Sequence, residues 1–199
     1  MIDFDTLANL PENGRYRQQL HPVPIVVALI RSGEQFLLIQ RNSNSYGGQW
    51  ALVGGKWDFG ETLATAVMRE VQEETSLETQ FVALKGLVSE RVQPPAKSLS
   101  AAHFLLLVCE LVVTNGEAKE QQEGAVAWFT LAEIETLHET HQIIPSDYEM
   151  LHQFAEQTGD AVHFEAEMIA AIGGESPYPA TMVRFAQETP RRCTAPTNE

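Results

Sequence analysis

Cysteine is scarce in this chain, with two residues, Cys109 and Cys193, in 199. Two thiols so far apart exclude a disulfide framework and a zinc knuckle. Long apolar stretches are missing too, and no run approaches the roughly 20 residues that span a bilayer. Positive charge is outnumbered: 13 Lys and Arg face 27 Asp and Glu, for a formal net charge of −14 at pH 7. Nucleic acids and anionic membrane surfaces both need positive potential, so neither is expected as a partner. The same acidity weighs, at first sight, against phosphate-bearing substrates. The opening Met1-Ile2-Asp3-Phe4-Asp5 lacks the basic-then-apolar plan of a signal peptide, which points to a cytoplasmic protein. The hydrophobic fraction is 44% and the charged fraction 20%, ordinary for a chain that buries a core. One domain with an appendage is the expectation.

Along the chain, residues 1–22 form a mixed N-terminal segment with turn signals at Pro11-Glu12-Asn13-Gly14. Ile25–Ile30 and Phe36–Ile39 flank a Gly33 turn and read as a hairpin. Asn42–Gln49 is a polar loop, and Trp50–Val53 a strand ending in Gly54-Gly55. Thr62–Thr75 reads as a helix, Phe81–Val92 and His103–Val113 as long strands, and Ala125–Phe129 as a short one. Leu131–His138 and Ser146–Gln157 are helical, the second with Ser146-Asp147 placed to cap it. Beyond residue 157 the texture changes. Val162, Phe164, Ala166 and Met168 alternate with polar residues, Gly173–Pro177 is a turn, and Met182–Phe185 can pair back. A β-hairpin arm is expected there, although 165–172 would also suit a helix. The tail after Pro190 reads as disordered. The divisions are therefore 1–22, a domain over 23–157, and an extension over 158–199.

Chemistry concentrates in the helix that begins near Leu63. With Leu63 at zero and about 100° per residue, Ala66 and Val67 fall on one stripe. Glu73, Glu70 and Glu74 follow on that stripe at about −80°, −20° and +20°. Three carboxylates on a face that the helix itself buries repel one another and lose hydration. A divalent cation among them removes both costs. Oxygen donors without His or Cys select magnesium or manganese over zinc. A solvated acidic face is the other reading of the helix taken alone.

The wider spacing bears on that choice. Gly55, Glu61, Arg69, Glu70, Val71, Glu73, Glu74 and Leu77 stand as Gly, five residues, Glu, seven residues, Arg-Glu-apolar-x-Glu-Glu, two residues, apolar. This stretch resembles the signature of the Nudix hydrolases. Ser76 stands where that family usually has glycine, at a cost of about 1 kcal/mol if the position is left-handed. Val53 stands where relatives often place proline. The resemblance extends over about residues 23–155 and implies an α/β fold, an α/β/α sandwich around a mixed sheet, here with the C-terminal extension added.

The resemblance also implies roles. Such enzymes hydrolyse a nucleoside diphosphate linked to another group, using divalent metal. Glu73 and Glu74 correspond to the main Mg2+ (or Mn2+) ligands, Glu70 to a ligand or to the base that orients water, and the Gly54 carbonyl to a further ligand. Glu61 and Arg69 correspond to an ion pair bracing the loop at Gly55 against the helix. Relatives sometimes draw the general base from a loop before the strand at 125–129, where Glu120 and Glu123 stand. Lys56 and Arg91 are candidates for substrate phosphate, as is Lys97, and each is equally a surface residue. Trp57, Phe59 and Tyr46 flank the site and could stack on a base or simply pack. Pro94-Pro95 lies close to a proline position of the ADP-ribose branch, slightly past it. His138 and His141 lack zinc spacing, and Cys109 reads as core.

The expected activity is therefore Mg2+-dependent cleavage of a nucleoside diphosphate sugar, ADP-ribose first, to AMP and ribose 5-phosphate. Cleavage of damaged nucleoside triphosphates and a non-hydrolysing nucleotide sensor are the alternatives. The extension over 158–199 could swap onto a second subunit to make a homodimer, or cover its own domain. For a small diphosphate partner the sign of the charge is local: three acids recruit the cation that binds it.

Overall fold

The computed structural model describes residues 22–42, 46–93, 102–157, 161–169 and 181–187. The expectations for residues 1–21, for Pro94-Pro95 and Lys97, for the Gly173–Pro177 turn and for the tail after Pro190 lie outside them. Eight strands and three helices follow in the order β1 (Val23–Ser32), β2 (Gln35–Gln40), β3 (Trp50–Lys56), α1 (Leu63–Thr75), β4 (Glu78–Gln93), β5 (Ala102–Asn115), β6 (Val126–Thr130), α2 (Leu131–Glu139), α3 (Pro145–Phe154), β7 (Val162–Ile169) and β8 (Thr181–Gln187). The strands form one mixed sheet in the order β6-β2-β3-β1-β5-β4-β7-β8, with β1 also pairing β2. Pairings are antiparallel except β1 with β5 and β4 with β7.

Helices cover both faces. Ala66, Val67 and Val71 of α1 pack with Val26, Ala28, Ile39, Ala51 and Val53 on one side. Ile134 and Leu137 of α2 and Met150, Leu151 and Phe154 of α3 pack with Val27, Leu29, Leu38 and Leu52 on the other. Alternate residues of β1 and β3 thus serve opposite cores, which is why both strands read as continuous apolar runs. Cys109 is buried, and burial pushes its thiol up to about 12, as a core residue would show.

The C-terminal strands extend the sheet. In β7, Phe164, Ala166 and Met168 are buried, so the alternation found in the sequence does mark a strand. Phe164 meets Phe154 of α3 edge-on at 5.6 Å and stacks on Phe185 of β8 at 4.9 Å.

One local expectation is overturned. α3 starts at Pro145 after Ile144, with no side-chain cap. Ser146 and Asp147 are buried instead. Proline at the first position lacks the N–H that a cap would serve, and the two side chains are used on strands. Ser146 hydrogen-bonds Glu90 of β4, and Asp147 accepts the Leu52 N–H of β3 at 2.7 Å.

Glu90 and Asp147 form a buried acidic pair. Desolvation raises Glu90 to about 7 and Asp147 to about 6. A raised carboxyl favours the folded state while protonated, so stability falls as pH climbs from about 4.5 towards 7. Glu90→Gln keeps an acceptor for Ser146 and removes the charge. It should stabilise the fold at pH 8 by on the order of 3 kcal/mol, fading towards pH 5. Thermal unfolding at both values checks this; an equal change in Tm at both would refute it.

Candidate active site

The loop from β3 to α1 is held by one side chain. Arg69 donates from Nε and Nη2 to the two oxygens of Glu61, at 2.7 and 2.9 Å. It also reaches Glu70 Oε1 at 2.8 Å, Glu73 Oε2 at 3.3 Å and the Lys56 carbonyl at 3.1 Å. The planar guanidinium suits this because it bonds a carboxylate in a fork and keeps donors free at its outer edge. Its fork holds the Glu61 carboxyl below the usual range. Glu61 in turn accepts from the Asp58 N–H, and its carbonyl accepts the Trp57 indole N–H at 3.0 Å. Thr62 caps the helix by accepting from Thr65 N–H at 3.1 Å.

The double glycine lets α1 approach the strand. A Cβ on Gly55 would stand 2.3 Å from Glu70 Oε2, and one on Gly54 2.1 Å from the Val26 carbonyl oxygen. Neither position admits a side chain without displacement. The Gly54 N–H donates to Glu74 Oε2 at 3.0 Å.

The three helix carboxylates differ in environment. Glu74 is buried at 3% exposure, and burial raises its carboxyl, reinforced by a hydrogen bond to Glu123. Glu70 is half-buried, and desolvation raises it despite Arg69. Glu73 is exposed, its side chain 61% accessible. Its place at the edge of the apolar stripe accounts for the difference.

Glu120 and Glu123 are both exposed on the loop before β6, and of the two only Glu123 is paired with Glu74. Sequence alone left the two open. A buried carboxyl group and an exposed one this close share a proton or gather a cation. A cleft of about 310 Å³ opens beside them, lined by Ile39, Arg41, Asn42, Glu74, Gln122 and Glu123. A larger groove of about 630 Å³ lies by the C-terminal ends of β1 and β5, lined by Arg31, Leu77, Glu117 and Trp128 among others. It holds none of the helix carboxylates.

Arg41 is the residue that sequence reading missed. It follows β2, closes the neck of the 42–49 loop through Arg41 N–H to Gln49 and Gly48 N–H to Arg41, and its charge acts on both Glu74 and Asp147. The available signal was a cation at a strand end before a polar loop, which is common on any surface.

The remaining candidates are dispersed. The Lys56 side chain is exposed. Trp57 and Tyr46 are partly buried against the core on the α1 side. Phe59 projects fully into solvent at the turn. Arg91 lies on β4, in register with His103 of β5 and Glu167 of β7. In the sheet β1 and β5 separate that strand from β3.

Ser76 adopts φ 62°, the left-handed position for which glycine is usual. Its hydroxyl accepts from Gln121 Nε2 at 2.8 Å, tying the helix end to the Glu123 loop and offsetting part of the strain.

Among the described residues, no three acidic, imidazole or thiol groups converge closely enough to hold an ion as they stand. The donor set still suits a hard divalent cation. It offers only carboxylates and a backbone carbonyl, two of them crowded at Glu74 and Glu123, with Glu70 and Glu73 drawn aside by Arg69.

A NUDIX domain profile matches residues 20–154. An ADP-ribose pyrophosphatase of Methanocaldococcus jannaschii is 35% identical over 135 residues, 67% of this chain and 77% of that protein. Nucleoside triphosphatase NudI of Enterobacter sp. (strain 638) is 28% identical over 120 residues, 57% of this chain and 85% of its own. In three dimensions, a MutT protein of Bacillus halodurans superposes with a TM-score of 0.58 at 18% identity, covering 83% of this chain and 97% of its own. The profile spans β1 to β6 and all three helices, leaving out only β7 and β8 of the described elements, so the chain belongs to the Nudix hydrolase family.

Proposed function

We propose that this hydrolase cleaves the diphosphate of a nucleoside diphosphate linked to a second group, ADP-ribose foremost, releasing AMP and ribose 5-phosphate. The observation that carries this reading is the Glu74–Glu123 carboxyl pair on an open cleft that Arg41 also lines. The M. jannaschii ADP-ribose pyrophosphatase supports the choice of substrate.

Glu70, Glu73, Glu74 and the Gly54 carbonyl would hold Mg2+ or Mn2+, Glu70 and Glu73 turning from Arg69 to do so. When bound, the cation supplies charge neutralisation at the diphosphate oxygens. Glu123, which lines the cleft beside Glu74, takes the proton of the attacking water. Arg41, which lines the cleft, steadies the charge of the diphosphate; Lys56 and Trp57, just after Gly55, would meet substrate beyond the cleft, and Arg91, with two strands between it and β3, is set aside. The same proposal includes a cytoplasmic location and a homodimer through the C-terminal strands, where nothing among the described residues pairs with the outer edge of β8.

Nucleoside triphosphates are the second reading, favoured by the likeness to NudI. A panel of ADP-ribose, other nucleoside diphosphate sugars and triphosphates, incubated with Mg2+ and read by mass spectrometry, separates the two. AMP with ribose 5-phosphate supports the first, and a nucleoside monophosphate with pyrophosphate the second. If the panel stays uncleaved while a nucleotide raises Tm, the sensor reading replaces both.

The glycine contact gives a local test. Gly55→Ala drives a methyl group into the space that the Glu70 carboxylate occupies, so that carboxylate is displaced. Misplacing a reacting group by about 1 Å costs roughly a hundredfold in rate. Turnover of Gly55→Ala should fall by that order, with KM little changed, when steady-state rates are measured beside Tm.

A further inference from the structure

β3 changes partners along its length. One edge pairs Trp50, Ala51 and Leu52 with Gln40, Ile39 and Leu38 of β2, while Val53–Lys56 pair on the other edge with Ala28–Ile25 of β1. Residues 50–52 therefore need other partners on that second edge, and the segment entering α3 supplies them. Trp50 N–H donates to the Gln142 carbonyl at 2.7 Å, and Ile144 N–H donates to the Trp50 carbonyl at 2.9 Å. Gln49 Nε2 adds bonds to the His141 and Ile143 carbonyls, each at 3.2 Å.

The next amide along this edge is Leu52, because N–H groups two residues apart point the same way. No backbone carbonyl serves it. Its acceptor is the buried Asp147 carboxylate at 2.7 Å, and a charged acceptor makes that bond strong. Asp147 is itself anchored, since the neighbouring Ser146 is tied to Glu90 of β4. Two residues beyond Leu52, Gly54 donates to Glu74, and Gly55 lies against Glu70 with no room for a methyl group.

We infer that Asp147 is a positioning residue for the reaction: by fixing Leu52 where β3 passes from one partner to the other, it sets Gly54 and Gly55 against Glu74 and Glu70. This rests on the proposed catalytic role of those glutamates. Asp147 is not among the residues that line the cleft, and its link to that lining is the charge of Arg41; the Asn variant, which keeps the acceptor and removes the charge, separates action through the strand from action through Arg41.

The test compares Asp147→Ala with Asp147→Asn, whose amide oxygen still accepts from Leu52. In Asp147→Ala, kcat on the best substrate should fall tenfold or more while KM stays within about threefold. Asp147→Asn should restore kcat to within about threefold of wild type. Independently of turnover, amide NMR should show faster exchange at Leu52 and shifted Gly54 and Gly55 resonances in Asp147→Ala, and neither in Asp147→Asn. A folded Asp147→Ala protein with wild-type kcat and unmoved glycine resonances overturns the inference. So does an Asn variant as impaired as Ala while Leu52 remains protected. Asp147→Ser, whose hydroxyl falls short of Leu52, replaces the Ala variant if that fails to fold. If wild type cleaves no nucleotide, the functional reading fails, and the glycine resonances still decide whether Asp147 positions the strand.

Discussion

Glu74→Gln leaves about a thousandth of wild-type turnover and a protein at least as stable. The substitution changes little in shape. Glutamine offers the Gly54 N–H the same acceptor that Glu74 Oε2 now provides at 3.0 Å. It removes a negative charge from a side chain 3% exposed, where burial and the Glu123 carboxyl already disfavour ionisation. Without a cation the buried charge is a net cost, so Tm holds or rises. With substrate present, the carboxylate's contribution to holding the cation is lost, and a deficit of about 4 kcal/mol in the barrier corresponds to a thousandfold in rate. Initial rates of AMP release at saturating Mg2+, with Tm measured on the same preparations, check both halves. Near-wild-type rates would remove Glu74 from the site.

Arg69→Met should be the most destabilising change at the site and also slow the reaction. Arg69 is bonded to Glu61, Glu70, Glu73 and the Lys56 carbonyl, and methionine replaces the stem but no donor. Arg69 keeps 27% and Glu61 18% of their side-chain surface, so water screens the pair, and the loss of stability comes from all the bonds of Arg69 together rather than from one buried ion pair. Glu61 loses its fork, the Asp58–Glu61 turn loosens, and Glu70 and Glu73 lose their common anchor. A fall of roughly a hundredfold in kcat is expected at temperatures where the variant is folded. Arg69→Lys retains charge without the fork and should recover only part of either loss. Denaturant unfolding and steady-state kinetics separate the two effects. A Met variant with wild-type stability would show that the ion pairs contribute nothing.

The helix and its bracing were legible because their information is local. The spacing of Glu61, Arg69, Glu70, Glu73 and Glu74 fixes which groups share a helix face, and the Glu61–Arg69 pair expected from the family resemblance is present at 2.7 Å. Ser76 was legible as a departure, and its φ of 62° shows the left-handed position that glycine usually fills. Its compensation was not, since Gln121 lies 45 residues away in sequence. The same limit hid the pairing of Glu123 with Glu74, the charge of Arg41 beside them, and the diversion of Asp147 from helix cap to strand acceptor 95 residues away. Periodicity also placed Glu73 on the buried stripe, and the structure puts it in solvent, because a stripe edge about 80° from centre is buried only where a neighbour covers it. Acidity misled in a similar way. A net charge of −14 describes the whole chain, while a small substrate responds to the few groups nearest it.

The central claim is that water, with a divalent cation and the Glu70–Glu73–Glu74 face, opens a phosphoric anhydride. Hydrolysis of ADP-ribose by the purified protein in oxygen-18 water, with Mg2+ and then with chelator, tests it most directly. The account predicts AMP and ribose 5-phosphate, one heavy oxygen in one of the two monophosphates, and no product once the cation is removed. Undiminished cleavage in chelator, or no cleavage of any diphosphate-linked nucleotide with Mg2+ present, would contradict it.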